Sequence, residues 1–268
     1  MSKLQRRALA VAAAAVMGIG SLASGPANAD KIQLGFVLDA SGSITNSEWT
    51  IITQGLSNAI GLIPTSGSDQ YYLSLAIFGW NSQTIINNSL ITGGNIGSFQ
   101  TQIAGLTRSG ISTGATNYEA AFTQMASAMG STVGYDASYV NFATDGEPNV
   151  CTSSAWGSDY WGCGVAARNT LLAAGVDNIS IEGIGITSGA ATSLKTKICA
   201  PQPCDDTQPY NFPTQGFYIG VANATQYAEA IKHKIRVVTG QIPEPASIAL
   251  VGLALMGIGA ARGRKARA

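Results

Sequence analysis

The chain has 268 residues with 15 basic and 15 acidic side chains, so its formal net charge is zero; 46% of it is hydrophobic and only 11% charged. Seven basic residues lie in the two ends, and between Asp30 and Gln241 there are 8 Lys and Arg against 14 Asp and Glu, leaving about −6. An acidic domain of this kind offers no basic patch for phosphates, which excludes nucleic acid as a partner.

Residues Met1 to Ala29 read as a secretory signal peptide. Lys3, Arg6 and Arg7 precede the apolar stretch Ala8–Leu22, and Ala27-Asn28-Ala29 is a small-x-small cleavage site. Residues 30–240 are the size of one domain with a well-buried core. In it, Ile32–Leu38 is apolar and β-rich, as expected of a parallel strand buried on both faces. The strand runs into Asp39-Ala40-Ser41-Gly42-Ser43. Residues two apart in an extended or turning segment point the same way, so one carboxylate and two hydroxyls converge just past the strand end. Such a group is an all-oxygen cradle for a hard divalent cation.

Thr45-Asn46-Ser47-Glu48 is a capping box with Thr45 as N-cap. Trp49, Ile52, Leu56, Ile60 and Ile63 then recur at helical spacing until Pro64. Tyr71–Phe78 reads as a second strand. Thr84–Ile91 reads as a third, joined to it as a hairpin through Gly79-Trp80-Asn81-Ser82. Ile96–Leu106 is a helical segment with Phe99, Ile103 and Leu106 facing inward. Gly114-Ala115-Thr116-Asn117 follows, and Tyr118–Met129 is the next helix. Strand Ser138–Ala143 delivers Asp145 at its end, within Ala143-Thr144-Asp145-Gly146-Glu147.

The loop Gly146–Gly164 should border the same face. It makes Trp156, Tyr160, Trp161 and Glu147 candidate partner contacts, since exposed aromatics anchor interfaces and stack on sugars. Val165–Ala174 and Gln226–Val238 read as helices, and Ile179–Ile186 and Phe217–Val221 as strands. Alternation of this kind predicts an α/β fold with a mostly parallel central sheet and helices on both faces. Ligands of such sheets bind beyond the carboxyl ends of the strands, where Asp39 and Asp145 both fall.

All four cysteines, Cys151, Cys163, Cys199 and Cys204, lie in the exported part, and an even count there predicts two disulfides. Of three possible connectivities, Cys151–Cys163 with Cys199–Cys204 is favoured because each pair closes a short polar loop. A zinc site fits the spacings poorly, with no Cys-x-x-Cys and one His.

Residues 241–268 form a tripartite tail. Ile242-Pro243-Glu244-Pro245 leads an apolar run from Ala246 to Ala261, and then Arg262, Arg264, Lys265 and Arg267 follow. The run sits at the short limit for a membrane span, and the basic cluster would hold its end in the cytoplasm. The tail resembles the PEP-CTERM sorting signal of Gram-negative bacteria that make exopolysaccharide. The resemblance implies cleavage near Pro243, Glu244 and Pro245 by an exosortase-type membrane protease. Before that cleavage the chain would cross the inner membrane and be anchored transiently by its C-terminal helix; after it, the chain would reach the cell surface or extracellular matrix.

Between the tails, the three oxygen-bearing segments resemble the metal-ion-dependent adhesion site (MIDAS) of a von Willebrand factor type A (VWA) domain, a Rossmann-like fold. The resemblance covers about Lys31 to Val238. It implies that Asp39, Ser41, Ser43 and Thr116 ligate or closely surround a metal, and that Asp145 contributes directly or through water. It also implies one open coordination position that an acidic side chain of a partner fills. Small hydroxyl-rich sites favour Mg²⁺ or Mn²⁺ over Ca²⁺. The expected function is therefore metal-dependent adhesion to an acidic group on a protein or an exopolysaccharide, in a biofilm or envelope matrix, without enzymatic activity.

Two other functions compete with this one. The first is a structural matrix protein whose metal only stabilises loops. The second is a serine hydrolase, because Gly110-Ile111-Ser112-Thr113-Gly114 matches a nucleophile elbow, with Asp177 or Asp205 and then His233 following. The elbow lacks its preceding buried strand, and His233 stands between Lys232 and Lys234 on a helix, so the expected chemistry is binding.

Overall fold

A computed structural model describes residues 29–241. The signal-peptide reading and the sorting tail fall outside them, apart from the boundary residues Ala29 and Gln241.

The elements follow in the order β1 (Lys31–Asp39), α1 (Asn46–Ile60), β2 (Gln70–Phe78), β3 (Ser82–Leu90), α2 (Ile96–Ala104), α3 (Tyr118–Met129), β4 (Ala137–Thr144), α4 (Tyr160–Ala173), β5 (Asn178–Ile184), α5 (Ser188–Ser193), β6 (Tyr218–Val221) and α6 (Ala224–Val238). The six strands form one sheet in the order β3-β2-β1-β4-β5-β6. Only the β2–β3 hairpin is antiparallel; every other pairing is parallel.

β1 is central and buried on both faces from Leu34 on, with even the polar Gln33 and Asp39 enclosed. Val37 and Leu38 are fully buried on opposite sides of it. One face packs Leu34, Phe36 and Leu38 against α1, α2 and α6, through Trp49, Ile52, Leu56, Ile103, Tyr227 and Ile231. The other packs Val37, Phe78 and Phe142 against α3 and α4, through Tyr118, Phe122, Met125 and Leu171. The layers approach closely where glycine allows it. A Cβ on Gly35 would lie 2.7 Å from the Met125 sulfur, and one on Gly55 would lie 2.8 Å from the Ala228 Cα. Gly55, which meets backbone, sets the α1–α6 spacing.

Several helices begin where a side chain caps them. Thr45 and Glu48 form the expected capping box on α1. Asn117 caps α3, accepting from the Ala120 amide at 3.1 Å. Asp159 caps α4 through the Gly162 amide at 2.9 Å, so the helix starts at Tyr160 and not at Val165. Tyr160 and Trp161 are thus helical, because a capping Asp just ahead of them overrides the glycines that follow. The sequence pattern also misses α5, whose six residues continue as a π-helical turn, Leu194–Ile198. Cys151 is bonded to Cys163 and Cys199 to Cys204. Among the described residues no helix is long and apolar enough to cross a membrane.

Candidate metal centre

β1 has β2 on one side and β4 on the other, so the chain order reverses at the β1–β4 seam. In parallel sheets such a reversal is where ligands bind, beyond the carboxyl ends of the strands. Asp39 is the last residue of β1, and Asp145 directly follows β4. In-register pairing sets Leu38 beside Ala143, which brings the two carboxylates to the same rim.

The loop after β1 turns back on itself. The Ser41 amide donates to Asp39 Oδ1 at 2.9 Å, and Ser41 Oγ and Ser43 Oγ stand 3.0 Å apart. Ser43 Oγ donates to Asp145 Oδ1 at 2.8 Å, and Thr144 Oγ1 donates to Asp39 Oδ2 at 2.7 Å. Asp39, Ser41, Ser43 and Asp145 are therefore one connected oxygen cluster. Thr116, itself buried, enters from the second of the three segments. Its Oγ1 lies 4.0 Å from where a Cβ of Gly146 would sit, next to Asp145. Asn149 grips its backbone, accepting from the Thr116 amide at 2.8 Å and donating its own amide to the Thr116 carbonyl at 3.0 Å.

The electrostatics ask for a cation. Asp39 is 2% exposed, and among the described residues no basic side chain pairs with it or with Asp145. Burial, and then the negative charge of Asp145, push the Asp39 pKa up to about 6, against the pull of the Ser41 and Thr144 hydrogen bonds. Burial also raises Asp145. Two carboxylates crowded at a desolvated rim, with neutral hydroxyls between them, fit a small hard divalent ion that would offset both charges.

Supporting residues that sequence reasoning missed surround the cluster. Arg108 Nη1 donates to the carbonyls of Ser41 at 3.0 Å and Ile44 at 2.6 Å, while Nη2 reaches the Asn46 side chain. Its one signal was isolation, since it is the only basic residue between Lys31 and Arg168. Gly42 donates its amide to the Thr113 carbonyl at 2.7 Å, and a Cβ there would lie 2.9 Å from that oxygen, so the first two loops meet only with glycine at 42. The Tyr118 hydroxyl donates to the Gly146 carbonyl at 2.6 Å and fixes the turn that carries Asp145.

The expected contact residues separate. Glu147 is exposed on the rim, and Trp156 is exposed by 39%. Trp161 packs edge-on against Tyr118, with ring centroids 5.7 Å apart, and the Lys197 ammonium lies 5.2 Å from its ring. Tyr160 is half-buried at the start of α4. On the other flank of Asp145, Ile44, Glu48, Ile184, Gly185 and Asn223 line a cleft of about 160 Å³. Ser112, by contrast, is tied to the β2–β3 turn, its amide donating to Asn81 Oδ1 at 2.6 Å. His233 faces Tyr210, with rings 6.1 Å apart.

Similar solved structures identify the fold. Proximal thread matrix protein 1 of the mussel byssus, determined with a zinc-occupied MIDAS motif, matches with a TM-score of 0.56 at 15% identity over 79% of this chain and 46% of that one. The pilus adhesin SpaC of Lactobacillus rhamnosus GG gives 0.55 at 13% identity over 79% of this chain and 31% of that one. A von Willebrand factor type A structure from Catenulispora acidiphila gives 0.56 at 11% identity, over 77% and 42%. The chain thus spans less than half the length of each of these neighbours. No curated protein matches the sequence.

The described domain has the VWA fold, a Rossmann-like α/β architecture. The chain also carries a PEP-CTERM protein-sorting motif, matched over residues 241–265, a signal for export and for surface or membrane-anchor sorting in Gram-negative bacteria.

Proposed function

We propose that this protein is an exported adhesion module. It holds Mg²⁺ or Mn²⁺ through Asp39, Ser41, Ser43, Thr116 and Asp145, and through that ion it binds an acidic group of a partner at the cell surface or in its matrix. The observation that carries the reading is the buried Asp39, with no basic partner among the described residues, linked to Asp145 through the Ser41 amide and the Ser41 and Ser43 hydroxyls. A bound ion would supply Lewis acidity toward a carboxylate. The chain's own residues do the positioning: Arg108 fixes the first loop, Asn149 the second and Tyr118 the third. Hydroxyls between the carboxylates add no negative charge, which leaves such an ion electrophilic. The cleft beside Asp145 gives a partner's side chain a route to it, and Glu147, two residues on from Asp145, is exposed. Two neighbours with a stated role, a thread matrix protein and a pilus adhesin, suit extracellular attachment.

Calorimetric titration of Mg²⁺ and Mn²⁺ into the wild type and Asp39→Ala tests the site. Saturable one-site binding in the first, absent from a folded second, is the expected result; wild type that takes up neither ion sinks the reading. Polyglutamate retention measured with and without chelator then separates adhesion from a merely stabilising metal, since only adhesion is lost with the ion.

A further inference from the structure

On the sheet face under α6, away from the oxygen cluster, three buried polar side chains meet without satisfying one another. Glu182 of β5 is 0% exposed, Lys234 of α6 is 3% exposed and Asn141 of β4 is 4% exposed. Lys234 Nζ lies 3.0 Å from Glu182 Oε1. The Asn141 amide is near enough to Glu182 to favour its charged form. Yet neither amide atom of Asn141, nor Nζ, nor either Glu182 oxygen makes a hydrogen bond of good geometry. Buried polar groups are nearly always satisfied, so a cluster of three that are not needs a reason.

The surroundings are apolar. Nζ sits 5.0 Å from the centre of the Phe217 ring. Asn141 and Lys234 both line one cavity of about 20 Å³, walled by Leu34, Phe36, Phe212 and Val238. That volume holds a single small molecule the size of water or ammonia.

We propose that Lys234 and Asn141 are joined by an amide cross-link between α6 and β4, formed by the protein itself with Glu182 as the proton-transferring group. An internal proton transfer converts the ammonium–carboxylate pair to a neutral amine and a carboxylic acid. Lys234 Nζ attacks Asn141 Cγ, forming the new C–N bond. Glu182 relays one proton from Nζ to Nδ2, the Cγ–Nδ2 bond breaks, and Nδ2 leaves as ammonia. One hydrogen stays on Nζ in the secondary amide, and the step needs no oxidant, metal or co-reactant. Burial moves both groups toward their neutral forms, lowering Lys234 to about 8 and raising Glu182, which eases the internal proton transfer. The product replaces two buried charges with one neutral amide. Because α6 is the last element before the sorting motif, tension on the tail would pass through a covalent bond to the middle of the sheet.

The full chain, reduced, denatured and digested with trypsin, answers the question by mass spectrometry. The expected product is a branched peptide joining the Asn141 and Lys234 segments, lighter than their sum by one ammonia, with cleavage after Lys234 blocked. Asn141→Asp should give the same linked mass, by loss of water, while Glu182→Gln should give only linear peptides. Separate linear peptides from folded wild type, with Asn141 and Lys234 unmodified, overturn the proposal; so does a link from Lys234 to Glu182. The wild-type map decides the matter even if a variant fails to fold.

Discussion

Arg108 pairs with no carboxylate among the described residues, yet its guanidinium gathers two carbonyls and one side-chain oxygen of the Ser41–Asn46 loop. A planar fork makes three such bonds where a lysine ammonium cannot match the geometry. Residues that orient metal ligands without touching the ion typically shift affinity by about 10–100-fold. Arg108→Lys should therefore weaken Mg²⁺ binding by about tenfold and Arg108→Ala by more, with the far-ultraviolet spectrum unchanged. Calorimetry beside circular dichroism checks this; an Arg108→Ala variant with wild-type affinity would mean the loop holds itself. Legibility at this scale had a physical limit. Asp39, Ser41 and Ser43 were readable because alternate residues share a direction, and Asp145 because it ends a strand. Arg108, Asn149 and Tyr118 act through backbone carbonyls and amides across long sequence separations, and no local pattern encodes such contacts. Trp161 looked like a contact residue for a related reason: an aromatic in a polar loop and an aromatic opening a capped helix are the same letter until the cap is recognised.

The elements themselves were legible wherever period and cap agreed. β1 and α1 follow from a mostly apolar, β-rich run and from a capping box with helical apolar spacing. α4 was placed too late because Gly162 and Gly164 depress helix propensity, and Asp159 together with burial of Cys163 and Gly164 overrules them. α5 was invisible because six residues hold too few periods to register. Packing between elements was not readable at all, and the α1–α6 crossing shows why. Gly55 faces Ala228 at a distance that admits no further carbon, and both are unremarkable residues in a helix taken alone. Gly55→Val should force the two helices apart and destabilise the domain by about 1–3 kcal/mol, the usual penalty for overpacking. Ser57, on the same helix but bonded to the Gln100 carbonyl at 2.8 Å, provides the comparison. Ser57→Ala removes one hydrogen bond and should lose about 1 kcal/mol. Urea unfolding of both variants decides the order; Gly55→Val at wild-type stability would show that α6 has room to shift.

For the whole molecule, the sorting of charge matters more than its total. The neutral chain divides into basic ends and a central region of about −6, so removing the ends leaves an acidic domain. An acidic domain that captures acidic groups works against its own long-range field, with attraction confined to the immediate reach of one cation. The two contributions respond differently to salt. Repulsion between net charges acts across solvent and is screened over about 10 Å at 0.1 M ionic strength, whereas a direct contact inside a partly buried site is screened far less. Association with an acidic polymer should accordingly speed up as sodium chloride is raised at fixed Mg²⁺, the reverse of pairs steered together by opposite charge. The measurement is the association rate of polyglutamate on immobilised protein across a salt series, repeated with chelator. Faster association at higher salt, abolished by chelation, is the expected pattern. A rate that falls with salt would place the attraction in an extended field of basic residues, which the composition between Asp30 and Gln241 does not supply, and would move the binding surface away from the cluster at Asp39.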